Sequence, residues 1–125
     1  MKVGRIYRIK TILTKPPKEK IVLYIGDDLF LWFNTDARDR PAQMEVAPGE
    51  CPEITHKCYL DCGRVTTFSQ REIEARTKCD HIDSNFAVRV VEEIEERATS
   101  MVNAHRDLVA SNLRKAFPDA FDNED

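Results

Sequence analysis

IVLYIGDDLFLWFN, residues 21–34, is the stretch on which the fold turns. Two near-continuous apolar runs, 21–25 and 29–33, flank Gly26-Asp27-Asp28. Such runs are expected of strands buried on both faces. Gly followed by Asp suits the tight turn of a β-hairpin. The expectation is a hairpin at the centre of the core, with Phe30, Trp32 and Phe33 supplying much of the buried area.

Working outward, RIYRIKTI (5–12) reads as an opening strand, with Tyr7 and Ile9 on one face and Arg8 and Lys10 on the other. LTKPPKEK (13–20) is a loop, since Pro16 and Pro17 cannot donate to a sheet ladder. Its cluster of Lys15, Lys18 and Lys20, with Lys10 upstream, needs solvent or an anion. Downstream, NTDARDRPAQ (34–43) is a polar loop carrying Arg38 and Arg40, MEV (44–46) is a short strand, and APGECPEITH (47–56) is turn-rich. KCYLDCGRVTTF (57–68) alternates as another strand, with Tyr59 on one face and Cys58, Leu60 and Cys62 on the other.

The periodicity changes after Phe68. Ser69-Gln70-Arg71-Glu72 matches a capping box, so a short helix is expected over 70–78, broken by TKCDHID. Asp83 or Ser84 should cap a long helix over 84–115. Its stripe is Ala87, Val91, Ile94, Ala98, Met101, His105 and Leu108, and Pro118 stops it. His105 and Asn112 interrupt that stripe. The helix is therefore expected to pack along the sheet or pair with another copy, rather than form a free coiled coil. The predicted fold class is α+β, mainly β: a small SH3-like antiparallel barrel over 1–68, then the short and the long C-terminal helix. One domain spans 1–117, and 118–125 form an acidic, disordered tail.

The bulk numbers bound function. A chain of 125 residues can bury one core, and a net charge of −3 gives no global case for nucleic-acid binding. Distribution says more: residues 1–20 hold seven Lys/Arg against Glu19 alone, so the front could meet phosphate. The N-terminus lacks an apolar signal segment and no apolar run reaches membrane length, so a cytoplasmic location without membrane contact is expected. In that compartment the four cysteines read as thiols.

Zinc is the first chemistry the cysteines raise. Cys51, Cys58, Cys62 and Cys79, with His56 and His81, lack the knuckle pairs of structural sites, and buried free cysteine is common in cores. No metal and no cofactor are therefore assigned. No phosphate-cradling glycine loop is present, and Glu92-Glu93 and Glu95-Glu96 read as a solvated helix face. What remains is the basic loop at Lys18 and Lys20, the strand end Asn34-Thr35-Asp36, and Asp61 with Arg64. A carboxylate beside cations and a hydroxyl suits cleavage of RNA: the carboxylate takes the 2′-OH proton and the cations stabilise the charged transition state.

Several strings resemble the MazF/PemK-like toxins of bacterial toxin-antitoxin systems, as a divergent branch. GRIYRI looks like the family's first strand, KEKIVLYIG its second, LFLWFNTD its third, and YLDCGRVTTFSQREI its late strand and helix start. The likeness covers residues 4 to about 115, with nothing firm over 37–56. It implies an SH3-like barrel, a homodimer, an antitoxin protein as partner, and metal-independent cleavage of single-stranded RNA without a cofactor. By position, the catalytic group would be Thr35, Asp61, Arg64 and Lys20, with Lys15, Lys18, Arg38 and Arg40 contacting RNA. Active members carry Arg before Pro where this chain has Lys20-Ile21, and lysine lacks the bidentate phosphate fork. The alternative is a non-catalytic interaction protein on the same barrel, using the long helix for dimerisation or docking.

Overall fold

In the computed structural model, which describes residues 1–121, the hairpin of residues 21–34 is present. β2 (Lys18–Tyr24) pairs antiparallel with β3 (Phe30–Asn34), Val22 opposite Trp32 and Leu23 opposite Leu31. Leu29 N–H donates to Gly26 O at 2.9 Å across the turn. Asp27 and Asp28 both take positive φ, 53° and 60°, the geometry of a type I′ turn.

The sheet grows outward from that hairpin in the order β4-β5-β3-β2-β1-β6, with β1 at Arg5–Thr11, β4 at Gln43–Val46, β5 at Cys58–Asp61 and β6 at Thr77–His81. One face packs Leu23, Leu31, Phe33, Met44, Val46 and Leu60 against two helices, α2 (Ser84–Arg97) and α3 (Asn103–Ala116). Phe86, Val90, Val91 and Ile94 come from α2, Val109 and Leu113 from α3. The opposite face gathers Tyr7, Ile9, Val22, Tyr24 and Phe30, covered by Phe68 and by Ile73 of α1 (Gln70–Glu74). With apolar cover on both sides, residues 22–25 and 29–31 are all buried except the exposed turn residues between them. Cys58, Leu60 and Cys62 lie in the helix-side core, as their alternation implies.

Three expectations differ. First, the sheet is open: β4 and β6 are its two edges, and no ladder joins them among the described residues. The fold is α+β and mainly β, but the closed barrel is not seen. β6 takes the outer side of β1 instead, with Tyr7 opposite Lys78 and Arg8 opposite Thr77. TKCDHID offered no apolar alternation for a strand; pairing to β1 makes it one. Accordingly α1 ends at Glu74 rather than 78, although its Ser69–Glu72 capping box forms as read.

Second, the long helix is two helices. A 32-residue helix would run about 48 Å, whereas the seven-residue strands beneath it span about 23 Å. Half of a straight helix would overhang the sheet. The chain turns back at Ala98–Val102, where Thr99 and Ser100 are weak helix formers and Ser100 Oγ donates to Gly63 O at 3.3 Å. The turn changes which positions face inward: Val109, Ala110 and Leu113 are buried, while Leu108 is left partly exposed. Asn112, an interruption in the stripe, donates from Nδ2 to Ile25 O at 3.0 Å and to Asp27 Oδ2 at 2.9 Å, fastening α3 to the hairpin turn.

Third, the tail begins with a short helix, α4 (Pro118–Phe121), whose Phe121 ring lies under the Arg114 guanidinium at 5.5 Å. Residues 122–125 of the expected disordered tail lie outside the described residues. No described helix is long and apolar enough to cross a membrane.

Candidate functional site

Along β3, Phe30, Trp32 and Asn34 point to the face away from α2 and α3, because strand side chains alternate. Phe68 stacks on Trp32 (centroids 6.0 Å, planes 7° apart) and meets Phe30 edge-on at 5.1 Å. Beyond Trp32 that apolar cover stops. Asn34 ends the strand, and its amide is nonetheless buried at 2 % exposure. Its Oδ1 accepts from Lys20 Nζ and from Arg38 Nη2, each at 3.1 Å. Two cations thus share one neutral oxygen, which orients both and cancels neither charge. Lys20 Nζ also sits 5.1 Å from the Trp32 ring centroid. Burial, then the nearby charges of Lys18 and Arg38, hold the Lys20 ammonium below the ordinary lysine value.

Asp61 ends β5 on the same face. Its carboxylate is 8 % exposed and fully engaged: Arg40 Nη1 lies 2.5 Å from Oδ2, while Gln43 Nε2 (2.8 Å) and Gly63 N–H (3.1 Å) donate to Oδ1. The loop carrying Arg38 and Arg40 is clamped to this strand end. Cys62 N–H donates to Ala42 O at 2.9 Å, and a Cβ on Gly63 would stand 2.3 Å from Pro41 O. Gly63 is therefore required for the close approach that delivers Arg40 to Asp61.

Two hollows open at this end of the sheet. One, of about 210 Å³, is lined by Leu13, Trp32, Asn34, Arg38, Arg40, Asp61, Arg64 and Thr66. The other, of about 360 Å³, includes Lys18, Lys20, Thr35, His56 and Lys57 in its walls. Asn34 lines both and is the joint between them.

The residues singled out by sequence divide accordingly. Asp61 and Arg64 share the smaller hollow with Arg38 and Arg40; Lys20, Thr35 and Lys18 line the larger one; Lys15, in the exposed β1–β2 loop, lines neither. Arg64 is exposed and has no ion-pair partner among the described residues, so its charge is available. The cysteines do not gather: among the described residues, no three His, Cys, Asp or Glu side chains form a group that could hold a metal ion. Burial pushes the Cys51 thiol up to about 12, and it raises Cys58 and Cys62 as well.

Sequence reasoning passed over Asn34 as an acceptor, Gln43 and Gly63 as supports of Asp61, and Trp32 as a wall rather than core. The signal was the alternating set Phe30, Trp32 and Asn34, whose last member is polar. It becomes legible only once Lys20 and Arg38 arrive from other segments. Comparison with known proteins found no matching family model, no matching curated protein and no matching solved structure.

Proposed function

We propose that this chain is a MazF/PemK-like protein that binds single-stranded RNA across the end of its sheet. The observation that supports the reading is the convergence of Arg38, Arg40 and Arg64 on the smaller hollow beside Trp32 and Asn34, with Asp61 its one carboxylate. Lys20 meets the same Asn34 oxygen as Arg38 from the larger hollow, where Glu19 and Glu53 also line the wall. Cations supply sequence-independent attraction to the phosphate backbone, and the partly exposed Trp32 ring beside them offers an aromatic surface to an unpaired base. On this reading the sheet is an SH3-like barrel left open between β4 and β6, and the protein forms a homodimer and binds an antitoxin protein.

The resemblance would add metal-independent cleavage, with Asp61 as the proton acceptor. The site favours the second reading, binding without catalysis. Asp61 is buried, and three donors from the protein already hold its two oxygens, which ties the carboxylate to the fold rather than presenting it to a 2′-OH. Thr35 also lines the other hollow, away from Asp61 and Arg64.

The test is fluorescence anisotropy with an unstructured labelled RNA in EDTA, followed by gel analysis of the same mixture. Salt-sensitive binding with intact RNA is expected, weakened in Arg38→Ala/Arg64→Ala. Absence of binding at low salt would sink the RNA reading. Scission that Asp61→Ala abolishes in a folded protein would restore the catalytic one.

A further inference from the structure

The smaller hollow carries more charge than one backbone phosphodiester would match. Arg38, Arg40 and Arg64 line it against one carboxylate, Asp61, leaving an excess of two positive charges. Arg40 is the member that Asp61 neutralises. Arg38 is held by a neutral acceptor, Asn34, and Arg64 by no carboxylate among the described residues. Two uncompensated guanidiniums therefore face one small volume.

Size decides what could enter. At about 210 Å³ the hollow falls below the range of roughly 300–1,000 Å³ typical of sites for drug-sized ligands. A whole nucleotide with its base is a poor match, whereas a compact anionic group fits. A phosphodiester inside a strand carries one negative charge, but a phosphomonoester carries about −1.5 to −2 at neutral pH and three acceptor oxygens. Planar guanidinium forks match such oxygens bidentately. Trp32 forms a wall of the hollow.

We propose that the hollow between Trp32, Arg38 and Arg64 is a terminal-phosphate site, which takes the phosphomonoester at the end of an RNA strand. It rests on the RNA-binding reading and deepens it: the strand would be anchored by its end, with the next nucleotides passing over Asn34 toward Lys20 and the larger hollow. Selectivity follows from charge, because a hydroxyl end leaves both guanidiniums unmatched.

One oligonucleotide sequence, prepared with a 5′-phosphate, a 3′-phosphate or two hydroxyl ends, tests this against wild-type protein and Arg64→Gln. Affinity for one phosphorylated form should exceed that of the hydroxyl form by about tenfold or more, as two charge-assisted contacts imply. Arg64→Gln should erase most of that advantage, weakening the phosphorylated form well beyond the hydroxyl-ended one, with an unaltered urea midpoint showing an intact fold. Equal affinity for all three forms overturns the terminal-phosphate site and leaves RNA binding standing. A phosphate preference that survives in Arg64→Gln overturns its assignment to this hollow. Failure of every form to bind overturns both.

Discussion

Arg40 and Asp61, 21 positions apart, form an ion pair at 2.5 Å on the floor of the candidate site. Asp61 is buried and Arg40 only partly so, and Gln43 and Gly63 complete the carboxylate's contacts. This pair joins the loop after β3 to the end of β5. Arg64, three residues on, has no ion-pair partner among the described residues and lines the hollow.

The two residues should therefore respond differently to truncation. Asp61→Ala leaves Arg40, Gln43 and the Gly63 N–H without their acceptor, and should lower stability by about 2–4 kcal/mol. Arg64→Ala should stay within about 0.5 kcal/mol of wild type, as an exposed substitution. Urea midpoints at constant slope measure both. Equal, small losses would show that the Asp61 cluster is not holding the strand end.

Gly26 has φ +94°, and a Cβ there would meet Asn112 Nδ2 at 2.3 Å. Gly26→Ala should cost about 1–3 kcal/mol, part from backbone and part from displaced Asn112. In an Asn112→Ala background the steric part should vanish. A double-mutant cycle reads that coupling, and strict additivity would refute the contact.

RNA affinity should fall with salt, because the bound phosphates release counterions. For single strands the logarithmic slope is about −0.7 per neutralised phosphate, so Arg64→Ala should flatten it by roughly 0.7. Anisotropy titrations at several salt concentrations give the value. An unchanged slope would place Arg64 outside the interface.

Lys20 links binding to pH. Its ammonium is held below the ordinary lysine value by burial and by Lys18 and Arg38, so it loses its proton at a lower pH than a free lysine. RNA affinity should decline as pH rises through that lowered value, and Lys20→Arg should remove the decline. Stability runs the other way. Between the lowered and the ordinary value the unfolded chain binds more protons than the folded one, so the fold gains stability as pH rises. Parallel binding and denaturation series at alkaline pH check both signs.

Thiol labelling should follow burial. Burial raises all four thiols, but Cys51, Cys58 and Cys62 are buried outright while Cys79 on edge strand β6 is partly open. Iodoacetamide at mildly alkaline pH should modify Cys79 first and the other three only after denaturation. Intact-mass spectrometry counts the adducts; rapid labelling of Cys62 would contradict its place in the core.

By itself the sequence determined the elements whose signal is local. The central hairpin follows from two apolar runs around Gly26-Asp27-Asp28, β1 and β5 from alternation, and the start of α1 from a capping box that closes within four residues. The tertiary structure decided what depends on partners distant in the chain. β6 exists because β1 offers an edge, since its own polar residues bury little. The helical stretch folds into two because a straight one would outrun the sheet it covers. The candidate site belongs to this second class. Lys20, Asn34, Arg38 and Asp61 are unremarkable polar residues at strand ends or in a loop. Their charges and oxygens acquire meaning only when sheet pairing brings them within hydrogen-bond range, where burial makes each unmatched group consequential.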